Sequence, residues 1–455
     1  MMDEERRRRL EEDDRAILWH PYTQMAEYVK DEPLIIEEGE GVYLKDIYGR
    51  KFLDGVSSLW VNLHGHRRRE IDGALRRQLD KVAHSTLLGI SNVPAIELAR
   101  RLIEIAPSGL RRVFYSDNGS TAVEVALKMA YQFWQQGPVE SRGRRRFITF
   151  KNAYHGDTLG AVGVGGIPLF HDLFRPLTFE PLFAESPYCY RCPLNLSYPR
   201  CEVACLESLE EILRVHGDEV AALVIEPKVQ AAAGMIVQPP GFLRRIRELC
   251  DRYGVLTIFD EVAVGFGRTG KMFACQQEDV SPDILCLGKG ITGGYLPLAA
   301  TLTSEEIFQG FLGDYSSFRT FFHGHTYTGN PLACAAALAN LDVFERDGTL
   351  EAIQGKIKFL ERGLERFYEL SHVGDVRQCG LMVGIELVRD RESKEPYPPE
   401  EKVGLMVTLE ARRRGLIFRP LGNVMVLMPP LVASEGELEG MMEILYESIK
   451  AVADD

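Results

Sequence analysis

A lysine set among glycines, Gly288-Lys289-Gly290-Ile291-Thr292-Gly293-Gly294, directly follows the apolar run Ile284-Leu285-Cys286-Leu287. The glycines let backbone and ligand approach closely, and partial burial beside other charges lowers an amine pKa, which imine-forming nucleophilic chemistry needs. A solvated surface lysine is the alternative. A carboxylate holds a comparable place, because Val255-Leu256-Thr257-Ile258-Phe259 runs into Asp260-Glu261-Val262. An acid closing so apolar a run is partly desolvated and stays ionised only beside a cationic or proton-donating partner. Val262, two residues on, points to the same side and offers an apolar floor. Lys151-Asn152-Ala153-Tyr154-His155-Gly156-Asp157 places a ring, an imidazole and a carboxylate within four positions. Such a tyrosine stacks on a flat ligand or is simply half-buried in its loop. Ser116-Asp117-Asn118-Gly119-Ser120-Thr121 precedes a helix expected from Ala122 to Trp134, with Thr121 to Glu124 at capping-box spacing. Gly119 and Ser120 then sit at a helix N-terminus, which is either a plain cap or a phosphate site.

These stretches need elements to hold them. Short β-rich runs alternate with helix-like spacers from about Arg112 to Thr303: Val113 to Tyr115, Phe147 to Phe150, Ala222 to Ile225, Val255 to Phe259, Ile284 to Leu287 and Leu298 to Leu302. Runs apolar on both faces predict an α/β fold with a mixed, mostly parallel sheet covered by helices on both sides. Ligands of such sheets bind beyond the carboxyl ends of the strands, and every stretch named above follows a strand. Lysine nucleophile, buried carboxylate, aromatic ring and phosphate-type helix terminus are together what pyridoxal phosphate requires. The Gly-rich turn Gly265-Phe266-Gly267-Arg268-Thr269-Gly270 lacks the spacing of a P-loop or dinucleotide fingerprint. Beyond about Leu341, helix-like stretches (Leu350 to Leu370, Glu400 to Arg413, Ser434 to Val452) alternate with antiparallel-looking strands at Leu381 to Val388 and Val424 to Met428. The expected organisation is an N-terminal segment, 1–65, joining the small domain and the site entrance, a large cofactor domain, 66–340, and a C-terminal α+β domain, 341–455.

The 455 residues allow two or three domains. With 53 basic and 66 acidic residues the net charge is −13, which argues against a nucleic-acid or anionic-membrane surface as partner. The start, Met1 to Glu5 followed by Arg6 to Arg9, has no apolar h-region, and no run of about eighteen apolar residues occurs. A cytoplasmic location is expected, and nine cysteines, sparse and odd in number, suit a reducing compartment. The charged first fifteen residues read as a solvated helix.

From about Ile17 to Ile449 the sequence resembles the class III, fold type I pyridoxal-phosphate aminotransferases. The matching stretches are Ser116 to Ser120, Tyr154-His155-Gly156-Asp157, Ile225-Glu226-Pro227, Phe259 to Val262 with Gly265 to Gly270, Gly288 to Gly294, and His323-Gly324-His325-Thr326-Tyr327-Thr328-Gly329-Asn330-Pro331. Within the class, Trp19 to Met25, Asp54 to Trp60 with His64-Gly65, and Phe418-Arg419-Pro420 with Leu427 to Pro430 resemble the branch of biotin synthesis that aminates 8-amino-7-oxononanoate. The resemblance implies Lys289 as the Schiff-base lysine, Asp260 as partner of the pyridine nitrogen, and Tyr154 and Val262 on the two ring faces. It implies Gly119, Ser120 and Thr326 as phosphate ligands, with His325 standing where the family usually has proline. Thr326 would serve the other subunit of a homodimer. Tyr22, Trp60, Tyr154 and Asp157 would line the substrate channel, Arg268 would shape it indirectly, and Arg419 would hold the keto-acid carboxylate. The implied partners are a small keto acid and an amino donor, expected to be S-adenosylmethionine, used in ping-pong order. A broader ω-aminotransferase taking diamine, lysine or 4-aminobutyrate-type donors is the alternative, and a non-catalytic cofactor-binding protein a remote one.

Cys189, Cys192, Cys201 and Cys205 give the spacing C-x2-C-x8-C-x3-C. Thiolates so spaced could hold zinc or an iron–sulfur cluster, but the connecting span is short for a zinc ribbon. Plain loop thiols, with no metal bound, are the expectation.

Overall fold

The structure, a computed structural model, describes residues 2–454. Seven strands form its main sheet: β1 (Leu110–Ser116), β2 (Arg146–Phe150), β3 (Leu182–Ala184), β4 (Val220–Ile225), β5 (Leu256–Asp260), β6 (Ile284–Leu287) and β7 (Ala299–Ser304). Their order is β1-β7-β6-β5-β4-β2-β3. The β6-β5-β4-β2-β3 pairs are parallel, whereas β7 runs antiparallel to both β6 and β1. Six strands therefore point one way and one is reversed.

Alternate residues of the strands feed two separate cores. Val224, Ile258, Ile284 and Cys286 pack with Ala122, Val123 and Ala126 of the long helix α1 (Gly119–Gln136). Leu223, Ile225, Phe259, Leu285 and Leu287 pack on the opposite face with Phe242, Leu243 and Ile246 of α2 (Phe242–Arg252). Every residue of β4 and β6 is buried, which is why these strands carry no polar alternation. The edge strand β1 starts three residues earlier than its apolar core because Arg111 and Arg112 lie exposed within it, Arg112 pairing with Glu305 at 2.8 Å.

One expected boundary moves. Helix α1 begins at Gly119, not Ala122, and its cap is Asn118, whose Oδ1 accepts from Thr121 N at 3.1 Å while Thr121 Oγ1 accepts from Asn118 N at 3.1 Å. Thr121 is thus the third helical residue, and Glu124 instead accepts from Gly160 N at 2.6 Å. In the C-terminal part, Thr349–Leu364 is α-helical and Glu365–Glu369 tightens into a 3₁₀ turn. The helix expected from Glu400 starts at Val403, after Pro398 and Pro399.

Both chain ends share a sheet: the meander Ile36–Glu40, Tyr43–Asp46 and Lys51–Asp54 is extended by Leu416–Ile417, parallel to Lys51–Asp54. A further antiparallel sheet orders Val373–Cys379, Met382–Leu387, Val424–Leu427 and Arg419–Leu421. Among the described residues, no helix is long and apolar enough to cross a membrane.

The four-cysteine loop docks on that last sheet through Glu386. This buried carboxylate accepts from Arg377 at 2.6 Å, from Arg191 at 2.5 Å and from the Tyr188 hydroxyl. The loop cysteines line one small cavity and are all free thiols. Burial pushes the Cys205 thiol up to about 11, with the three neighbouring thiols adding, so it keeps its proton at neutral pH. Among the described residues, no group of three or more His, Cys, Asp or Glu side chains is arranged to hold a metal ion.

Burial pushes the Glu386 carboxyl up, but Arg377, Tyr188 and Arg191 outweigh it and hold it below the ordinary 4.5. Removing one partner of such a pair leaves a buried uncompensated charge, so Glu386→Ala is expected to lose about 3–5 kcal/mol in urea unfolding at pH 7. Because the folded pKa is depressed, the gap to wild type is full above the unfolded value and closes as pH falls through the folded one.

Candidate active site

A cavity of about 460 Å³ opens at the carboxyl ends of β1, β2, β5 and β6. Trp60, Gly119, Ser120, Tyr154, Asp260, Val262 and Lys289 all line it, although they are separated by up to 229 positions between Trp60 and Lys289. The parallel register explains the convergence. Asp260 closes β5 opposite Cys286 of β6, and Lys289 follows three residues later.

Asp260 is 4% exposed, and its charge is met from two sides. His155 Nδ1 lies 2.8 Å from Oδ2 and, facing a carboxylate, carries the hydrogen and donates it, while Val262 N donates to Oδ1 at 3.0 Å. The other ring nitrogen, His155 Nε2, is buried without a partner. Glu226 stands behind, accepting from Tyr154 N at 3.0 Å and Ala231 N at 2.9 Å. Burial raises its carboxyl to about 7, helped by Asp260 and opposed by His155.

Removal from water is the largest influence on Lys289 and pulls its amine below the usual lysine range; Asp260 and Glu226 oppose that pull and Arg268 adds to it. The amine lies 4.9 Å from the centroid of the Trp60 ring. It is a half-buried base beside an indole, with two carboxyls acting on it.

The floor is close-fitting. A Cβ at Gly119 would stand 2.5 Å from Val262 Cγ1, and one at Gly288 3.2 Å from that atom and 3.3 Å from Gly119 Cα. First-turn N–H groups have no intrahelical partner. Gly119 and Ser120 therefore present donors to the cavity at the positive end of an 18-residue helix, which suits a phosphate group. With an amine, a partnered acid, an aromatic and an apolar wall around this cradle, the residues fit pyridoxal phosphate.

The remaining candidates divide into a rim and a periphery. Tyr22 donates to Asp157 Oδ1 at 2.5 Å, Tyr154 donates to Oδ2 at 2.9 Å, and the two hydroxyls are 3.2 Å apart. Burial and then Asp157 push the Tyr22 hydroxyl up to about 12. Arg419 lies over the Tyr22 ring, 5.5 Å from its centroid. Arg268 is buried behind the wall, donating to Pro429 O at 2.6 Å and Asn62 O at 2.8 Å, and does not line the cavity. Thr326 is exposed and outside its own chain's cavity, while His325 Nδ1 sits 2.7 Å from Oδ2 of the cavity residue Asp117.

His155 and Glu226 lie within stretches the sequence singles out, but nothing in their spacing marks His155 as the partner of Asp260 or Glu226 as the acid behind it. The signal for His155 is chemical: a carboxylate at the end of an apolar strand requires donors. Ala231 and Ala232 complete the wall and carry no polar signal at all.

The class-III aminotransferase family model matches residues 24–449. A protein of Nitratidesulfovibrio vulgaris called adenosylmethionine-8-amino-7-oxononanoate aminotransferase is 59% identical over 446 residues, 98% of this chain and 82% of that one. A crystal structure of the enzyme of that name from Methanocaldococcus jannaschii superposes with a TM-score of 0.93 at 49% identity, covering 98% of this chain and 99% of the other. An amine transaminase from an uncultivated Pseudomonas species, solved with pyridoxal phosphate bound, has a TM-score of 0.90 at 39% identity over 96% of this chain and 99% of its own. The chain belongs to the class-III aminotransferases.

Proposed function

We propose that the chain is a pyridoxal-phosphate-dependent aminotransferase that converts 8-amino-7-oxononanoate to 7,8-diaminononanoate in biotin synthesis, with S-adenosylmethionine as amino donor, as a cytoplasmic homodimer. The observation that carries the chemistry is the pair Lys289 and Asp260 at adjacent strand ends in one cavity. The substrates come from the names of relatives as similar as 59%.

Pyridoxal phosphate, when bound, supplies an aldehyde carbon that exchanges amines and a ring that accepts an electron pair from the adjacent carbon. The chain's residues do the rest. Lys289 Nζ, its pKa lowered by burial, would hold the cofactor through its amine and would be the base that takes and returns the proton moved during transfer. Asp260, fixed by His155 and the Val262 N–H, keeps a proton on the ring nitrogen. Gly119 and Ser120 would hold the phosphate, Tyr154 and Val262 would hold the ring, and Arg419 would bind the keto-acid carboxylate as a planar fork. Tyr22, Trp60 and Asp157 line the channel that donor and acceptor use in turn, with Arg268 shaping it from behind.

The homodimer reading is supported by the surroundings of Thr326. Leu88, Ile90, Ile96, Phe322 and Tyr327 are 59–77% exposed, an uncovered apolar patch of the kind that marks protein interfaces. In this reading Thr326 completes the cofactor site of the second copy, while His325 stays against Asp117 of its own chain.

Nitrogen-15 from labelled S-adenosylmethionine is expected to appear in 7,8-diaminononanoate, and Lys289→Ala is expected to lower that transfer by at least roughly 10²–10⁴-fold. Unchanged turnover in that variant would sink the assignment. Gly119→Ala, which must displace Val262, is expected to cost about 1–3 kcal/mol, or roughly five- to 150-fold in pyridoxal phosphate affinity measured by titration of the apoprotein. Mixing Lys289→Ala with Thr326→Ala chains is expected to restore activity that neither homodimer has, because one of the two shared sites then carries both native residues. No gain on mixing would place Thr326 in its own chain's site.

A further inference from the structure

Trp60 reaches the cavity on a backbone that L-residues avoid. Ser57, Ser58, Leu59 and Trp60 have φ of 51°, 48°, 72° and 71°. Hydrogen bonds from Trp60 N to Val56 O (2.8 Å) and from Val61 N to Ser57 O (3.0 Å) close them into one turn of left-handed helix. None of the four is glycine, and a Cβ in this region crowds the following carbonyl, so the turn persists only where its surroundings over-determine it. Ser57 Oγ donates to Met428 O at 2.7 Å. The second anchor is Asp54, whose Oδ1 accepts from Ser58 N and whose Oδ2 accepts from Ser58 Oγ, both at 2.8 Å, with His66 Nε2 3.0 Å from Oδ2. Asp54 is fully buried and does not line the cavity. Ser58 turns its hydroxyl back onto Asp54 and Leu59 is half-exposed, whereas Trp60 is 6% exposed, lines the cavity and has a buried Nε1 without a partner. The product of the strained turn is thus the placement of one indole beside Lys289.

We infer that Asp54 is a positioning residue for amino transfer, holding the left-handed turn closed so that Trp60 is fixed as the wall of the acceptor pocket beside Lys289. This rests on the aminotransferase reading. A role in packing alone makes a different forecast, because a glycine at position 59 tolerates positive φ without cost and replaces what Asp54 does for the backbone, not what it does for the core.

With the holoenzyme, Asp54→Ala is expected to raise KM for the keto acid at least about tenfold while kcat changes less than about threefold. Adding Leu59→Gly is expected to bring both KM and the thermal midpoint back towards wild type, and adding Leu59→Ala to restore neither. An Asp54→Ala enzyme with wild-type KM, or a double variant that recovers nothing, overturns the inference. If Asp54→Ala does not fold, Ser58→Ala and Ser58→Gly decide it: both lose the hydroxyl bond to Asp54, but only glycine fits the turn, so alanine raises KM and lowers the thermal midpoint more than glycine does. Equal values overturn the inference. If the wild type transfers no amino group, the functional reading falls, and the thermal midpoints alone decide what holds the turn.

Discussion

A carboxylate ending a strand that is otherwise out of water is the constraint around which the site is arranged. Asp260 cannot stay ionised there unless donors meet it, and two do, His155 from the loop after β2 and the Val262 amide from its own chain two residues on. The same carboxylate also acts on Lys289. Burial draws the amine towards the neutral form, and Asp260 with Glu226 draws it back, so a base is kept in a place that would otherwise expel charge. Moving Asp260 along β5 by one residue would turn it into one of the two apolar cores.

The floor and the walls have different origins. Gly119, Asp260, Val262 and Lys289 follow the strand ends of one sheet, where register fixes which of them stand together. Tyr22, Trp60 and Arg419 come from segments near the two chain ends, joined where Lys51–Asp54 pairs with Leu416–Ile417. The mechanism therefore sits on one sheet, and selection of the substrate on parts brought together by long-range pairing.

Much of this was legible in the sequence because burial writes a strong pattern. Runs apolar on both faces located β4, β5 and β6 to within two residues, and the polar residues immediately after the strands turned out to share a cavity. Where charged or capping residues dilute the pattern, it misplaces the boundary. Arg111 and Arg112 hid the start of β1, and Thr121 looked like a cap because the true cap, Asn118, forms the same box one turn earlier. The reversal of β7 leaves no trace in composition. The left-handed turn at Ser57 to Trp60 was invisible, since positive φ is normally announced by glycine or asparagine and here depends on Asp54 and Met428, the latter 371 positions from Ser57. The pairing of His155 with Asp260 spans 105 positions and needed the sheet to be built first.

The mutual contact of Gly119, Val262 and Gly288 has an evolutionary consequence. Each position is tolerated only because the other two are what they are: a side chain at either glycine meets Val262. A lineage that explores new amines by single substitutions finds this floor closed to it, while the rim around Tyr22, Leu59 and Arg419, half-exposed and assembled from separate segments, accepts one change at a time. Drift in substrate range with chemistry held constant is the history such a partition favours.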